Sequence, residues 1–246
     1  MDKDNIILFG RHPVKEALES GVPIDKVVLQ QGIRGEFEKE MRHLCKQFQV
    51  PLQVVPKEGM NRISRGNHQG VMALQSPVPF YKIDDLLPGL FEQSKIPLLL
   101  LLDGITDVRN FGAIARTAEC CGAHALVISM KKSASVNAEA MKTSAGALNK
   151  IPVCREGSLV HAIEYLQLCG ICVIASDLKA TKALFEMDMK QGLAIVLGSE
   201  GEGISPAIAE KANELFVIPQ LGTTDSLNVS VAAGMMLYEV MRQRMG

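Results

Sequence analysis

Three polar, glycine-containing stretches each follow an apolar run, and they hold the side chains best suited to chemistry. The first, Asp103-Gly-Ile-Thr-Asp-Val-Arg-Asn-Phe-Gly-Ala-Ile-Ala-Arg116, carries Asn110, Gly112 and Arg116. Asn110 reads as the N-cap of a helix that begins near Gly112. Arg116 then falls about a turn inside that helix, among small and apolar neighbours. An arginine there either snorkels at the surface or faces an anionic ligand. The second stretch, Gly198-Ser-Glu-Gly-Glu-Gly-Ile-Ser-Pro206, is glycine-rich but fits no phosphate loop. It lacks the Gly-Lys-Ser/Thr ending and the G-x-G-x-x-G spacing. Glu200 and Glu202 also place two negative charges where a pyrophosphate would lie. Such a loop suits a neutral or cationic ligand, a sulfonium for example, or an adenine held by backbone groups. A tight turn leading into a helix opened by Ser205-Pro206 is the plainer reading. The third stretch, Pro219-Gln-Leu-Gly-Thr-Thr-Asp-Ser-Leu-Asn228, runs directly into the last helix. No G-x-S-x-G elbow surrounds Ser226, so a hydrolase nucleophile is not expected there.

Parallel strands are the elements that would position these loops. Continuous apolar runs at Leu98–Leu102, Ala125–Ile128, Ile171–Ala175, Leu193–Leu197 and Leu215–Ile218 suit strands covered on both faces. Helices are expected between them at Gly112–Cys121, Leu159–Leu168 and Pro206–Ala212, with a long final helix over Val229–Arg244. Ligands in such sheets bind at the carboxyl ends of the strands, where these three loops begin. Upstream, strands at Ile6–Phe9, Lys26–Gln30, Leu52–Val55 and Val71–Leu74 alternate with helices at His12–Ser20 and Glu36–Phe48. That pattern predicts a smaller α/β unit. Ser76-Pro-Val-Pro-Phe through Pro88-Gly89 reads as a linker. The expected division is residues 1–75, a linker over 76–95, and residues 96–246.

A net charge of −1 over 246 residues gives no global signature of nucleic-acid binding, so any phosphate contact must be local. Local clusters exist: Arg62, Arg65, Asn67 and His68; Lys131 and Lys132; Arg109 near Arg116. The six cysteines show no paired zinc spacing. Cys169-Gly-Ile-Cys172 has its helix before its strand, the reverse of a thioredoxin-type site. Reduced thiols are expected. The first residues do not form a basic-then-apolar signal. The run Pro97–Leu102 is far shorter than the ~20 residues a bilayer span needs. A cytoplasmic location with no membrane contact is the expectation.

Taken together, Asn110…Arg116, Leu197-Gly-Ser-Glu-Gly-Glu-Gly203 and Ile218-Pro…Ser226-Leu-Asn228-Val-Ser resemble, in order and position, the three motifs of the SpoU (TrmH-type) RNA ribose 2′-O-methyltransferases. Phe9-Gly-Arg-His-Pro-Val-Lys-Glu-Ala-Leu18 and His68-Gln-Gly-Val71 resemble the L30e-like RNA-binding domain found in that family. The resemblance is nearest to the bacterial 23S rRNA guanosine 2′-O-methyltransferase branch. It implies an N-terminal L30e-like domain and a C-terminal SPOUT α/β domain with a deep trefoil knot, a feature periodicity does not show. It implies S-adenosylmethionine as cofactor, bound through Gly198, Ile218 and Leu227, with Leu197, Gly201 and Ala175 nearby. It implies Arg116, Asn110, Glu200, Ser226 and Asn228 as catalytic residues. In that reading Arg116 grips a phosphate and stabilises the oxyanion, and Asn228 and Ser226 orient the hydroxyl. Asn110 and Glu200 hold Arg116 and the loop, or Glu200 takes the proton. It also implies a homodimer, with Val231, Met235, Leu237 and Met241 of the last helix at its interface. The substrate would be 23S rRNA or a precursor large-subunit particle. A tRNA ribose methyltransferase, a non-catalytic ribosome-assembly factor and a nucleotide-dependent oxidoreductase are the competing readings. The acidic glycine loop disfavours the last, and the presence of Asn110, Arg116, Glu200 and Asn228 disfavours the assembly factor.

Overall fold

The computed structural model describes residues 6–64 and 66–246, which group into two units. The first unit is built from β1 (Ile7–Phe9), α1 (Arg11–Glu19), β2 (Ile24–Gln30), α2 (Glu36–Gln47), β3 (Leu52–Val55), α3 (Lys57–Ile63) and β4 (Val71–Gln75). Its sheet runs β1-β4-β2-β3, with β4 antiparallel to both neighbours and β2 parallel to β3. The two-residue period of β2 divides its side chains between two cores. Val27 and Leu29 pack with Val14 and Leu18 of α1 and with Met41 and Leu44 of α2. Val28 faces the other way, onto Met60 of α3 and Met72. The α/β unit read from the sequence is therefore present, with α3 as an addition. Ser135–Glu139, far along the chain, also groups with this unit. The Val136 N–H donates to the buried Asp25 carboxylate at 2.9 Å, and Lys26 Nζ to Ser135 Oγ at 2.9 Å. Arg65, named in one of the basic clusters, lies outside the described residues.

The second unit holds β5 (Phe80–Tyr81), α4 (Ile83–Glu92), β6 (Leu98–Asp103), α5 (Val108–Cys120), β7 (Ala125–Ser129) and α6 (Ala138–Thr143, whose first residues fall in the other group). It continues with β8 (Val153–Glu156), α7 (Leu159–Leu168), β9 (Cys172–Ser176), β10 (Leu193–Gly198), α8 (Pro206–Lys211), β11 (Glu214–Phe216) and α9 (Val229–Met245). The strands form one sheet in the order β11-β9-β10-β6-β7-β8-β5, every neighbour parallel. Leu98–Leu102 are all buried, as a strand covered on both faces requires. From β6 the chain steps outward through β7 to β8, then returns to lay β10 on the other side of β6. The order therefore reverses between β6 and β10. A crevice opens beyond the carboxyl ends of strands at such a reversal.

The expected linker is corrected. Phe80–Tyr81 pairs with β8, and Ile83–Glu92 is a helix whose Ile83, Leu87 and Leu90 enter the core of the second unit. Burial of those three side chains outweighs the one hydrogen bond that Pro88 forfeits inside the helix. Strand β8 escaped sequence reading because it carries Arg155 and Glu156. Arg155 is nonetheless buried, its guanidinium 3.7 Å above the Phe80 ring, and Glu156 accepts from the Ile83 N–H at 3.0 Å.

All six cysteines are free thiols, and burial raises Cys45 to about 11 and Cys154 to about 12. Among the described residues no helix is long and apolar enough to cross a membrane, and no cluster of three His, Cys, Asp or Glu side chains could hold a metal.

At the amino ends of the central strands, the Leu98 N–H donates to His124 Nδ1 at 3.1 Å. Burial lowers the His124 pKa below 6.5, and the nearby Lys95 and Arg244 lower it further. Folding therefore favours the neutral ring. This stabilisation is complete above the unfolded value of 6.5 and is lost as pH falls through the lower folded value. Thermal stability should decline on acidification from about 6.5 down to that lower value, and His124→Gln should flatten the decline. An equal acid-induced drop in melting temperature for the variant would refute this.

Candidate active site

Loops leaving β6 and β10 meet at the reversal in strand order. The loop after β6 makes one tie to its neighbour: Asp103 Oδ2 accepts from the Ser205 N–H at 2.7 Å. It then opens α5, but not where the sequence suggested. Asp107 is the N-cap, accepting from the Arg109 and Asn110 N–H groups at 2.8 and 2.9 Å. Asn110 consequently lies inside the first turn with its side chain free to reach outward. Gly112 is a packing glycine rather than a helix start. A Cβ there would lie 2.7 Å from the Thr143 Cβ and 3.0 Å from the Ala140 carbonyl oxygen.

After β10 the chain turns back on itself, with Ser199 and Gly203 exchanging backbone hydrogen bonds at 3.1 and 3.0 Å. The turn is tight enough that a Cβ on Gly198 would lie 2.1 Å from the Gly203 carbonyl carbon and 2.3 Å from Ile204 N. Gly201 is needed for a different reason, a φ of +88° with nothing within 4 Å of a notional Cβ. This turn lifts Glu200 outward.

Glu200 is the hub. Its Oε1 accepts from Asn228 Nδ2 at 2.7 Å, from Asn110 Nδ2 at 3.0 Å and from the Val229 N–H at 3.4 Å. Asn228 Nδ2 also donates to Asn110 Oδ1 at 3.0 Å. The other end of the Asn228 amide caps α9: its Oδ1 accepts from the Ser230 N–H at 2.9 Å, from Ser230 Oγ at 2.6 Å and from the Val231 N–H at 3.4 Å. Three residues chosen from three separated stretches are thus in direct contact, 90 and 118 positions apart along the chain for the two pairs involving Asn110.

The remaining expected residues are placed differently. Arg116 is exposed and makes no ion pair among the described residues. Six positions beyond Asn110 on one helix, it is displaced by about 9 Å along the axis and about 120° around it. Among the described residues it makes no hydrogen bond or ion pair to the trio. Ser226 is exposed and unbonded. Indeed, residues 218–227 make no hydrogen bond among the described residues, and Leu221 is fully exposed. The backbone donors and acceptors of Ile218 and Leu227 are therefore available to a ligand. Ala175 and Leu197 are buried in β9 and β10, so only their backbone groups could face a ligand. On α9, Val231, Met235 and Tyr238 form an exposed stripe at helical spacing, 51, 45 and 67 % accessible. Leu237 does not belong to it: it is wholly buried in the core of its own chain, while Met241 is half-buried. Sequence reading passed over Asp103 and Asp107. Asp107, a carboxylate three residues before Asn110, was the available signal.

Comparison with known proteins places the chain in a family. Residues 97–238 match the SpoU rRNA Methylase family, and residues 7–81 match the family described as RNA 2′-O ribose methyltransferase substrate binding. The chain belongs to the SpoU rRNA methylase family, within the SpoU and TrmH group of RNA methyltransferases. A TrmH family tRNA/rRNA methyltransferase of Staphylococcus aureus is 34% identical over 241 residues, covering 98% of this chain and 97% of its own. One from Staphylococcus saprophyticus is 36% identical over the same length and the same shares. Among solved structures, a TrmH-family RNA methyltransferase from Porphyromonas gingivalis superposes with a TM-score of 0.59 at 26% identity, covering 98% of this chain and 91% of that one. The SpoU methyltransferase AviRb of Streptomyces viridochromogenes, solved with AdoMet, shares the fold with a TM-score of 0.62 at 22% identity, covering 98% and 91%.

Proposed function

We propose that this protein transfers the methyl group of S-adenosylmethionine to a ribose 2′-hydroxyl of RNA, a guanosine of 23S rRNA or its precursor particle, in the cytoplasm and as a homodimer. The observation that carries this reading is the convergence of Asn110, Glu200 and Asn228 at the mouth of the sheet, beside ten residues of unbonded backbone. The residues fit the cofactor. An unbonded loop offers N–H and C=O groups to an adenine, Gly201 and Gly222 leave open space around it, and Glu200 with Glu202 suits a sulfonium.

The cofactor supplies an electrophilic methyl: the oxygen–carbon bond forms as the sulfur–carbon bond breaks, and sulfur keeps the electron pair. The chain must handle the other half of the reaction, the hydroxyl proton and the charge building on oxygen. A guanidinium carries donors only and no acceptor, so Arg116 serves to grip the phosphate beside the target ribose and to stabilise the emerging oxyanion. Ser226 Oγ orients the hydroxyl. Because Arg116 is offset from Asn110 by about 9 Å along α5 and about 120° around it, the arrangement favours a site completed by a second copy, joined through the Val231, Met235 and Tyr238 stripe. The first unit, matching a substrate-binding family, holds the RNA.

The test is nucleoside mass spectrometry of purified 23S, 16S and transfer RNA from cells with and without this protein, with mapping of the lost modification. Loss of one 2′-O-methylguanosine from 23S rRNA is expected. Loss from tRNA would transfer the reading to a tRNA substrate. An unchanged 2′-O-methyl inventory in all three would refute it.

A further inference from the structure

The hydrogen bonds within the trio commit the whole Asn228 amide and Glu200 Oε1, leaving Glu200 Oε2 and one hydrogen of Asn110 Nδ2 unused among the described residues. The orientation of the Asn228 amide is fixed by α9 itself. Two backbone N–H groups, of Ser230 and Val231, demand an acceptor, so the oxygen must face the helix and the nitrogen must face Glu200. That nitrogen has two hydrogens. One goes to Glu200 Oε1 and the other to Asn110 Oδ1. Asn228 therefore has no donor left for a ribose hydroxyl. Asn110 is oriented in turn, its oxygen toward Asn228 and its nitrogen toward Glu200. Glu200 Oε1 carries three donors. Every bond Glu200 makes, it makes as an acceptor fixing another part of the chain.

What these bonds fasten is specific. Residues 218–227 make no hydrogen bond among the described residues. They are held at the start by Val217, whose N–H donates to the Lys182 carbonyl at 2.9 Å and whose carbonyl accepts from the Leu184 N–H at 2.8 Å. They are held at the end by Asn228.

We infer that Asn110, Glu200 and Asn228 are a clasp that closes the 218–227 loop onto the 199–203 turn, and that they are positioning residues rather than groups that touch the reacting atoms. This deepens the proposed function and rests on it. The orienting role first expected of Asn228, and the proton-accepting alternative for Glu200, both give way to positioning. Proton removal is left to solvent, with Arg116 stabilising the emerging oxyanion and Ser226 orienting the hydroxyl.

The clasp predicts reciprocity between two residues, read first in cofactor binding by titration calorimetry on the full-length protein. Asn228→Asp keeps the helix cap but sets two carboxylates face to face with no donor between them. S-adenosylmethionine binding should weaken by about tenfold or more. Adding Glu200→Gln restores a donor, from Gln Nε2 to the new carboxylate, and should recover binding to within about threefold of wild type. Glu200→Gln alone should raise the cofactor KM several-fold and lower kcat at saturating cofactor by less than about tenfold. Removing a general base would instead cost kcat about 100-fold or more, with cofactor affinity intact. A double variant that binds no better than Asn228→Asp would overturn the clasp. So would a kcat collapse in Glu200→Gln with unchanged cofactor affinity. Should Asn228→Asp not fold, by circular dichroism and thermal melting, the kcat and KM of Glu200→Gln decide alone. Failure of the methyltransferase reading is separable, because the wild-type protein would then methylate no RNA at all.

Discussion

Arg116→Ala is expected to lower kcat by about 100- to 1,000-fold while leaving the S-adenosylmethionine dissociation constant within about twofold. The split follows from position. Arg116 is exposed, offset from Asn110 by about 9 Å along α5 and about 120° around it, and no carboxylate among the described residues pairs with it. Its charge is available to a phosphate and to an oxyanion, and to nothing that holds the cofactor. Arg116→Lys keeps the charge but loses the planar fork that fits a phosphate, so it should recover part of the rate. One lost phosphate contact should also reduce the slope of log affinity for RNA against log salt by about 0.7 to 0.9. Single-turnover methylation with labelled cofactor, alongside cofactor titration, checks both halves. Turnover near wild type, or a large loss of cofactor affinity, would contradict the assignment.

Gly198→Ala should be the most damaging single-methyl change in the second unit. The new Cβ would meet backbone atoms of Gly203 and Ile204 between 2.1 and 2.4 Å away. Backbone cannot rotate aside as a side-chain tip would. Relief requires opening the Ser199–Gly203 turn, which carries Glu200. The expected loss is about 3 kcal/mol or more, toward the upper end for overpacking. For a chain of this size that is a melting-temperature drop of about 6–12 °C, with cofactor binding abolished. Gly201→Ala is the internal control. It suffers only from its left-handed φ, with open space around it, and should cost about 1 kcal/mol. Equal melting temperatures for the two variants would show that close approach is not what reserves position 198 for glycine.

Much of this molecule was legible because its strands are covered on both faces. An unbroken run such as Leu98–Leu102 leaves few alternatives, and most of the parallel strands were readable in this way. Where polar residues enter an element, reading failed. β8 hides a buried Arg155 whose guanidinium stacks on Phe80, and Phe80 lies more than 70 residues earlier. α4 was hidden by Pro88, a residue that marks loops in isolation but is tolerated when the opposite face is well buried. The grouping of Ser135–Glu139 with the first unit depends on Asp25, a contact 111 residues apart that no local pattern signals. At the site, residue types identified Asn110, Glu200 and Asn228. Spacing alone misplaced the N-cap of α5, because both Asp107 and Asn110 can cap and only the backbone decides. Sequence reasoning named these residues by type, whereas the orientations of their amides follow from the N-terminus of α9. The trefoil knot rested on the resemblance rather than on any periodicity. The chain leaves β11 at one edge of the sheet, and Asn228 then bonds to side chains from the loops of β6 and β10.

The most direct test of the central claim uses the purified protein, S-adenosylmethionine with a labelled methyl, and large-subunit rRNA transcripts. After nuclease digestion the products are read by mass spectrometry. The mapped target nucleotide is then replaced by its 2′-deoxy counterpart in an otherwise identical RNA. The account predicts one 2′-O-methylnucleoside in the ribose substrate and none in the deoxy substrate. Label on a base, or label retained in the deoxy substrate, would contradict ribose 2′-hydroxyl transfer.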